Sequence, residues 1–261
     1  MLIPGDMQAT SVAVLVSGGV ESATLTALCL SRFGRVHPVY VRCGLAWEQA
    51  EEACLRRFLD HIDRPGLQPL TTIELTVRDV YGPHWSTTGQ DVPDDTTPDE
   101  AVCLPGRNLI LLSKTAIWCS LKGISTIALG HLGTNPFPDA TDGFFSRLEE
   151  LLCVALDFPL RIIRPLAHLR KPDVIRLGAD LPLECTFSCI HPVASSDGEY
   201  LHCARCNKCA ERIAAFAESG VVDRTRYGNP VCRPDRTVLM PGGMCNSVRA
   251  NTSSNRREDV S

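Results

Sequence analysis

The 261-residue chain lacks several features that would assign it to other classes of protein. No apolar run approaches the roughly 20 residues that a membrane-spanning helix needs, so we expect no membrane contact. Residues 1–10 have neither the basic stretch nor the apolar core of a secretory signal, which predicts a cytoplasmic protein. Basic residues are not in excess: a net charge of -4 and a pI near 6.0 argue against a direct nucleic-acid partner and favour a small-molecule substrate.

Cysteine, in contrast, is abundant, with 13 residues. In a reducing compartment these are expected to be thiols and metal ligands rather than disulfides. Three of them have the short Cys-x2-Cys-x2-Cys spacing of a zinc knuckle, and a fourth lies upstream across a long insertion, so that four thiolates can converge tetrahedrally on one ion. The predicted ligands of this structural Zn2+ are Cys189, Cys203, Cys206 and Cys209. Cys185, His191 or His202 in place of one ligand, and an iron–sulfur cluster in place of zinc, are the alternatives.

Apolar strands alternate with amphipathic helices along most of the chain. The run Ser-Val-Ala-Val-Leu-Val at 11–16 is typical of a strand buried on both faces, and the pattern becomes helical from residue 22. Further strands are predicted at 36–41, 70–77, 126–130 and 161–164, and further helices at 47–62, 109–121, 144–156 and 172–178. This alternation predicts an α/β fold with right-handed crossovers and a doubly wound, mainly parallel, Rossmann-like sheet.

The same pass along the chain sets the expected domains. Residues 10–180 are expected to form the nucleotide-binding α/β domain. Within it, residues 82–100 combine prolines and acids with few apolar side chains, so a flexible loop over the site is predicted there. Residues 181–228 are expected to form a small C-terminal zinc knuckle with its helix, and residues 229–261 a disordered tail.

The turn between the first strand and the first helix has the composition of a phosphate-binding loop. Gly18 and Gly19 let the backbone bend sharply and approach an anion, and the helix that follows directs its first N–H groups at that anion. Ser17 and Ser22 can donate hydroxyl hydrogen bonds to phosphate oxygens, and Glu21 is an acid of the kind that Mg2+ prefers. The alternative is an ordinary turn in which Ser22 only caps the helix.

Five motifs then occur in a fixed order. They are Ser-Gly-Gly-x-Glu-Ser at 17–22, Leu-Pro-Gly-Arg-Asn at 104–108, Pro-Asp at 138–139, Pro-Leu-x-His-Leu-x-Lys at 165–171, and Phe-Ser-Cys at 187–189 with the triple-cysteine run. From about residue 12 to 220 the chain resembles the 7-cyano-7-deazaguanine synthase (QueC/ExsB) family of queuosine biosynthesis, within the PP-loop ATP pyrophosphatase superfamily. The resemblance implies an adenine nucleotide α-hydrolase-like fold and a C–N-forming ligase. Its partners would be 7-carboxy-7-deazaguanine, ATP and ammonia, and its product the nitrile, made through an acyl-adenylate and an amide.

The resemblance also implies roles for residues at matching positions. The nucleotide-binding set would be Ser17, Gly18, Gly19, Glu21, Ser22 and Asn108, with Glu21 assisting Mg2+. Of the catalytic residues, Arg107 would face the nucleotide or acyl phosphate, Asp139 a guanine-like edge, and Lys171 the α-phosphate. Each has a plainer interpretation: a surface turn for Arg107, a structural turn for Asp139, and a solvated helix start for Lys171. The four cysteines match the family's zinc ligands. A homodimer is compatible with the sequence, which does not determine the oligomeric state.

Some segments depart from the family pattern. Glu21 stands where the family has Asp, and residues 42–47 and 133–137 differ from the usual acidic, Gln-rich turn and Ser-Gly-Tyr. A divergent paralogue, an adenylating ligase with another acid or amine, is therefore the main alternative. A tRNA-modifying PP-loop enzyme fits the acidic pI less well, and a non-catalytic zinc module leaves the phosphate loop unexplained.

Overall fold

The computed structural model describes residues 10–229, 231–232, 237–239 and 245–247. Its centre is a parallel five-stranded sheet in the order β3-β2-β1-β4-β5. The strands are β1 (Ser11–Leu15), β2 (Arg35–Arg42), β3 (Thr71–Glu74), β4 (Thr126–Leu129) and β5 (Arg161–Ile163). The predicted α/β fold with a parallel sheet is thus confirmed. The ends of each strand lie within three residues of the predicted bounds.

Helices cover both faces of this sheet. They are α1 (Val20–Leu30), α2 (Glu48–His61), α3 (Arg78–Tyr81), α4 (Trp85–Thr88), α5 (Arg107–Lys122), α6 (Asp142–Leu156), α7 (Lys171–Leu177) and α8 (Asn207–Ser219). Alternate residues of β1 face opposite layers: Val12 and Val14 pack with α1 and α7, whereas Ala13 and Leu15 pack with α5 and α6. This two-sided burial explains why β1 is a continuous apolar run.

The segment predicted as a flexible loop over the site contains regular structure. It holds α4 and a 3-10 turn, Asp99–Val102, and it is fastened to the cysteine-rich segment. Asn207 donates to the carbonyl of Thr97 at 2.7 Å, and the Asp95 N–H donates to the carbonyl of Arg205 at 3.0 Å. The prolines and acids of this segment predicted that the strand–helix pattern is interrupted here. They could not predict contacts with residues more than a hundred positions away in the sequence.

The C-terminal part adds small elements to the main sheet. A hairpin of β6 (Val193–Ala194) and β7 (Tyr200–Leu201) precedes α8, which packs on α7. Within the predicted disordered tail, β8 (Val231–Cys232), β9 (Thr237–Leu239) and β10 (Cys245–Ser247) form a small antiparallel sheet. The rest of that tail lies outside the described residues. No helix in the described part of the chain is both long and apolar enough to span a membrane.

Candidate functional site

A cavity of about 410 Å³ opens at the carboxyl ends of β1, β2 and β4. Because the chain moves outward from β1 to β3 and then returns to β4 on the other side of β1, this is the point where strand order reverses, the usual ligand position in such sheets. The predicted residues that line it are Ser17, Gly19, Glu21, Ser22, Arg107, Asn108, Asp139 and Lys171. The first and last of these residues, Ser17 and Lys171, are 154 positions apart in the sequence. The fold therefore brings distant motifs into one cavity.

The phosphate loop is held by its own side chains. The Ser22 hydroxyl donates to the carbonyl of Gly19 at 3.1 Å and accepts the N–H of Ser17 at 3.2 Å. Gly18 does not line the cavity: it has a φ of +74°, and a Cβ there would lie 3.0 Å from the carbonyl oxygen of Glu51 on α2. Gly19, in extended conformation, is the N-cap of α1 and lines the cavity, and the N-terminus of a helix is a position that favours an anion. Ser22 thus fixes the loop, and its direct contact with phosphate stays a prediction.

Lys171 stands at the centre of a chain of charges beside this loop. Its ammonium lies 2.9 Å from Glu21 and 3.0 Å from Glu211, and Glu211 in turn lies 3.0 Å from Lys208. Burial alone would lower the pKa of Lys171, but the two carboxylates outweigh it and raise that pKa. Burial would raise the pKa of Glu211, yet Lys171 and Lys208 lower it to about 2. The side chain of Lys171 is only 11% exposed, so it is not the solvated helix-start lysine that was the alternative.

The motif at 104–108 supplies the opposite wall. Asp139 accepts the backbone N–H of Asn108 at 2.8 Å, and its own carbonyl accepts the Asn108 amide at 2.9 Å. Asp139 therefore caps α5, whose N-cap residue Gly106 is left-handed and carries no side chain to do so. Arg107 makes no ion pair within the described residues, and its buried Nε has no partner. A guanidinium of this kind is available to a phosphate or carboxylate.

Several residues of the cavity were not predicted from the sequence. Glu51 is 8% exposed and accepts the hydroxyl of Tyr40 at 2.7 Å; burial raises its pKa to about 7 against the opposing influence of Arg107. Trp47 stacks on Trp85 with ring centres 5.8 Å apart, which gives the β2 end of the cavity an aromatic shelf. The acids at the start of α2 were visible in the sequence, but their burial was not.

The four predicted cysteines form a compact cluster. All are buried, and their sulfur atoms lie within 4.8 Å of one another; two pairs, Cys189–Cys206 and Cys203–Cys209, are 3.9 Å apart. A tetrahedron with metal–sulfur bonds of about 2.3 Å has edges of about 3.8 Å, so one metal ion fits, whereas a cluster of four irons does not. Backbone N–H groups of residues 191, 203, 205 and 206 donate to the sulfurs of Cys189 and Cys203, as expected of thiolates.

The alternative ligands lie outside this cluster. His202 is buried, but its Nε2 accepts the backbone N–H of Ser188 at 3.1 Å, and neither Cys185 nor His191 belongs to the group of converging sulfurs. The cluster is also joined to the cavity. The Phe187 N–H donates to the carbonyl of Gly18 at 2.7 Å, and α8, which begins after Cys206, carries Lys208 and Glu211 into the cavity wall.

Comparison with known proteins identifies the family. A sequence model described as "Queuosine biosynthesis protein QueC" matches residues 11–220. The chain belongs to the QueC family. Proteins named 7-cyano-7-deazaguanine synthase are 28% identical to it in Methanothermobacter thermautotrophicus (82% of this chain, 97% of that one) and 31% identical in Methanothrix thermoacetophila (82% and 96%). A predicted subunit of a tRNA methyltransferase from Methanocaldococcus jannaschii is similar in structure, with a TM-score of 0.42 and 17% identity over 65% of this chain and 74% of that one.

The span shared with the QueC family contains the whole site. It begins with β1 and ends at Gly220, one residue after α8, so it includes the cavity, the charge chain and the four cysteines. The small sheet of β8 to β10 lies beyond it. The family resemblance based on five short motifs is therefore confirmed over the full region in which those motifs occur.

Proposed function

We propose that this protein converts 7-carboxy-7-deazaguanine and ammonia into 7-cyano-7-deazaguanine with two molecules of ATP. The observation that carries the proposal is the gathering of the phosphate loop, Arg107, Asp139 and Lys171 in one cavity of a QueC-family chain. Relatives named for this activity match it over 96–97% of their own length, so the whole catalytic unit has a counterpart here. The enzyme would be a ligase that forms a C–N bond and then dehydrates the amide.

The first half of the reaction activates the acid. A carboxylate is a poor electrophile, and joining it to AMP with release of pyrophosphate turns one of its oxygens into part of a good leaving group. Gly19 and the start of α1 would hold the pyrophosphate, Lys171 would offset charge at the α-phosphate, and Arg107 would bind the acyl phosphate or its neighbour. Ammonia then displaces AMP to give the amide, whose oxygen is adenylated in turn and lost as AMP to leave the nitrile.

The proposed enzyme would bind two kinds of metal ion, one structural and one with ATP. Four converging thiolates with closed coordination suit Zn2+, which would supply folding free energy and take no part in the chemistry. Mg2+ would neutralise pyrophosphate charge, and Glu21, a cavity-lining carboxylate next to the phosphate loop, is the residue proposed to assist it. A cytoplasmic location, where ATP is abundant and thiols stay reduced, completes the proposal. A homodimer stays a prediction, which light scattering of the purified protein tests.

The proposal is tested by incubating the metal-loaded protein with ATP, magnesium, ammonium and 7-carboxy-7-deazaguanine, followed by mass spectrometry. The expected products are the nitrile, AMP and pyrophosphate, with the amide as a transient species. Formation of AMP without the amide or the nitrile would overturn the assignment of ammonia as the acceptor. Absence of AMP under all these conditions would overturn the assignment of an adenylating enzyme.

Lys171→Met provides the matched variant, because it keeps the length of the side chain and removes the charge. Exchange of labelled pyrophosphate into ATP, which reports adenylation alone, is expected to fall by about 100-fold or more. The variant also leaves Glu21 without its cation, so circular dichroism and metal content are measured alongside. Normal exchange in a folded Lys171→Met protein would remove Lys171 from the mechanism.

A further inference from the structure

His131 is a buried side chain of the cavity wall that has no hydrogen-bond partner among the described residues. It follows β4 by two positions and is 7% exposed, and neither ring nitrogen has a hydrogen-bond partner. His202, buried to a similar degree, has its Nε2 bonded to the backbone N–H of Ser188. Because leaving a buried polar group unpaired is costly, an unpaired imidazole at a cavity wall indicates a partner that arrives with a ligand.

The surroundings of His131 decide its charge and hold its ring. Burial, with the nearby Arg164 adding to it, lowers the pKa of His131 to about 4, and Asp142 and Asp139 oppose this only in part. The imidazole is therefore neutral at pH 7 and offers one N–H donor and one acceptor nitrogen. Its ring packs edge-on against Phe145 with centres 5.1 Å apart, which restricts its orientation before any ligand binds.

The position of His131 within the cavity separates it from the aromatic shelf. Trp47 follows β2 on one side of β1, whereas His131 follows β4 on the other side. Gly130 lies so close to the phosphate loop that a Cβ on it would be 3.1 Å from the backbone of Glu21 and Ser22. His131 thus begins the wall that continues through the loop at 134–139 to Asp139. This wall carries the hydrogen-bonding side chains of Thr134, Asn135 and Asp139 beside the ring of Phe137, and the opposite end carries the stacked Trp47 and Trp85.

We propose that His131 is a specificity-determining residue for the acid substrate, whose heteroaromatic ring it hydrogen-bonds at a polar edge beside Asp139. The inference rests on the proposed function and adds a residue that the family motifs do not contain. Deazaguanine offers a ring carbonyl oxygen as acceptor and ring and exocyclic N–H groups as donors. The imidazole N–H suits the carbonyl oxygen, and a carboxylate such as Asp139 suits the N–H groups. An analogue without that carbonyl leaves the imidazole unpaired and is rejected.

Two other roles fit the observations less well. A group that is neutral at pH 7 supplies no charge to the pyrophosphate or to the acyl phosphate. An imidazole whose conjugate acid is so readily deprotonated is also a poor acceptor for the proton of ammonium. Binding a neutral polar edge needs neither property.

The test compares His131→Leu with His131→Gln by calorimetry of two ligands. One ligand is 7-carboxy-7-deazaguanine in the presence of a non-hydrolysable ATP analogue, and the other is that analogue alone. In His131→Leu the acid is expected to bind about tenfold more weakly or worse, with less than a twofold change for the analogue. His131→Gln, which keeps an N–H donor, should lie between the two. In steady state the KM for the acid should rise more than kcat falls.

Thermal unfolding separates this role from a structural one. Replacing an unpaired imidazole by an apolar side chain should leave Tm unchanged or raise it, whereas His202→Leu, which removes a bonded imidazole, should lower Tm. A Tm loss in His131→Leu equal to that of His202→Leu would overturn the inference, as would acid binding equal to wild type. If His131→Leu bound the ATP analogue more weakly and the acid normally, the placement of His131 beside the acid would be overturned. Wild-type protein that binds no deazaguanine acid would overturn the proposed function itself.

Discussion

Replacing Glu51 with glutamine should make the protein more stable at neutral and alkaline pH. Glu51 lies on α2, is 8% exposed and lines the cavity, where it accepts the hydroxyl of Tyr40 at 2.7 Å. Burial raises its pKa from 4.5 to about 7, because Arg107 and the Tyr40 hydrogen bond only partly offset the loss of water. Glutamine has nearly the same shape and keeps an oxygen for Tyr40, so it mimics the protonated acid.

The magnitude follows from the difference between the folded and unfolded pKa of Glu51. Below pH 4.5 both states hold the proton, and there is no effect. Between pH 4.5 and about 7 the unfolded chain releases the proton while the folded protein keeps it, so the free energy of unfolding falls as pH rises. Above pH 7 the loss is complete and amounts to about 3 kcal/mol, at roughly 1.36 kcal/mol per pKa unit. Glu51→Gln removes this loss.

The assay is urea unfolding of wild type and Glu51→Gln at intervals from pH 5 to pH 8. The two proteins should be similar at pH 5 and differ by up to about 3 kcal/mol at pH 8. Glu52→Gln is the matched control: burial would raise the pKa of Glu52, but its hydrogen bonds to Arg42 and Arg56 lower it. Glu52 is therefore ionised in both states throughout this range, and its variant should run parallel to wild type. Parallel curves for Glu51→Gln would refute the reasoning.

Three further predictions concern the loop, the metal site and the wall of the cavity. Gly18→Ala should lower the free energy of unfolding by about 1–3 kcal/mol in urea titrations, because it forces a side chain into a left-handed φ against the backbone of Glu51. Cys206→Ser should lower both the metal content by mass spectrometry and the Tm, whereas Cys185→Ser, outside the cluster, should change neither the metal content nor its stoichiometry. Arg107→Gln should reduce ATP–pyrophosphate exchange by about 100-fold in a folded protein, since Arg107 makes no ion pair within the described part of the chain; a folded variant with normal exchange would count against its role. A small loss of Tm at neutral pH is expected, because Arg107 opposes the burial that raises the pKa of Glu51.

The elements that sequence alone predicts are those with local causes. The apolar run of β1 is visible because both faces of a central parallel strand are buried, and α5 is visible because its apolar stripe repeats every three to four residues. The cysteine cluster is equally local, since three of its members span seven residues from Cys203 to Cys209. In each case the residues that determine the feature lie next to one another in the chain.

The features that escaped prediction depend on contacts between distant segments. Three acids at the start of α2 resemble a solvated helix face, yet Glu48, Glu51 and Glu52 are only 6–8% exposed once other segments cover them. Lys171 and Glu211 form an ion pair although they are 40 positions apart in the chain. Asp139 caps α5 by accepting the N–H of Asn108, which lies 31 positions before it. No periodicity or short motif encodes such pairs, so the sequence predicted Asn108, Asp139 and Lys171 but not the contacts that they make.

The cysteine cluster and the cavity are built on the same segments, so an ion bound by the four cysteines would also affect the cavity. The segment that carries Cys189 also bonds to Gly18 through Phe187, and the helix that follows Cys206 places Lys208 and Glu211 beside Lys171. The loop at 85–102, which closes one side of the cavity, is fastened to the same helix start by the Asn207 amide. Loosening the four thiolates would therefore displace three walls of the cavity together. A closed four-sulfur site would thus affect the proposed catalysis without touching a substrate, because it fixes the elements between which the nucleotide and the acid are proposed to meet.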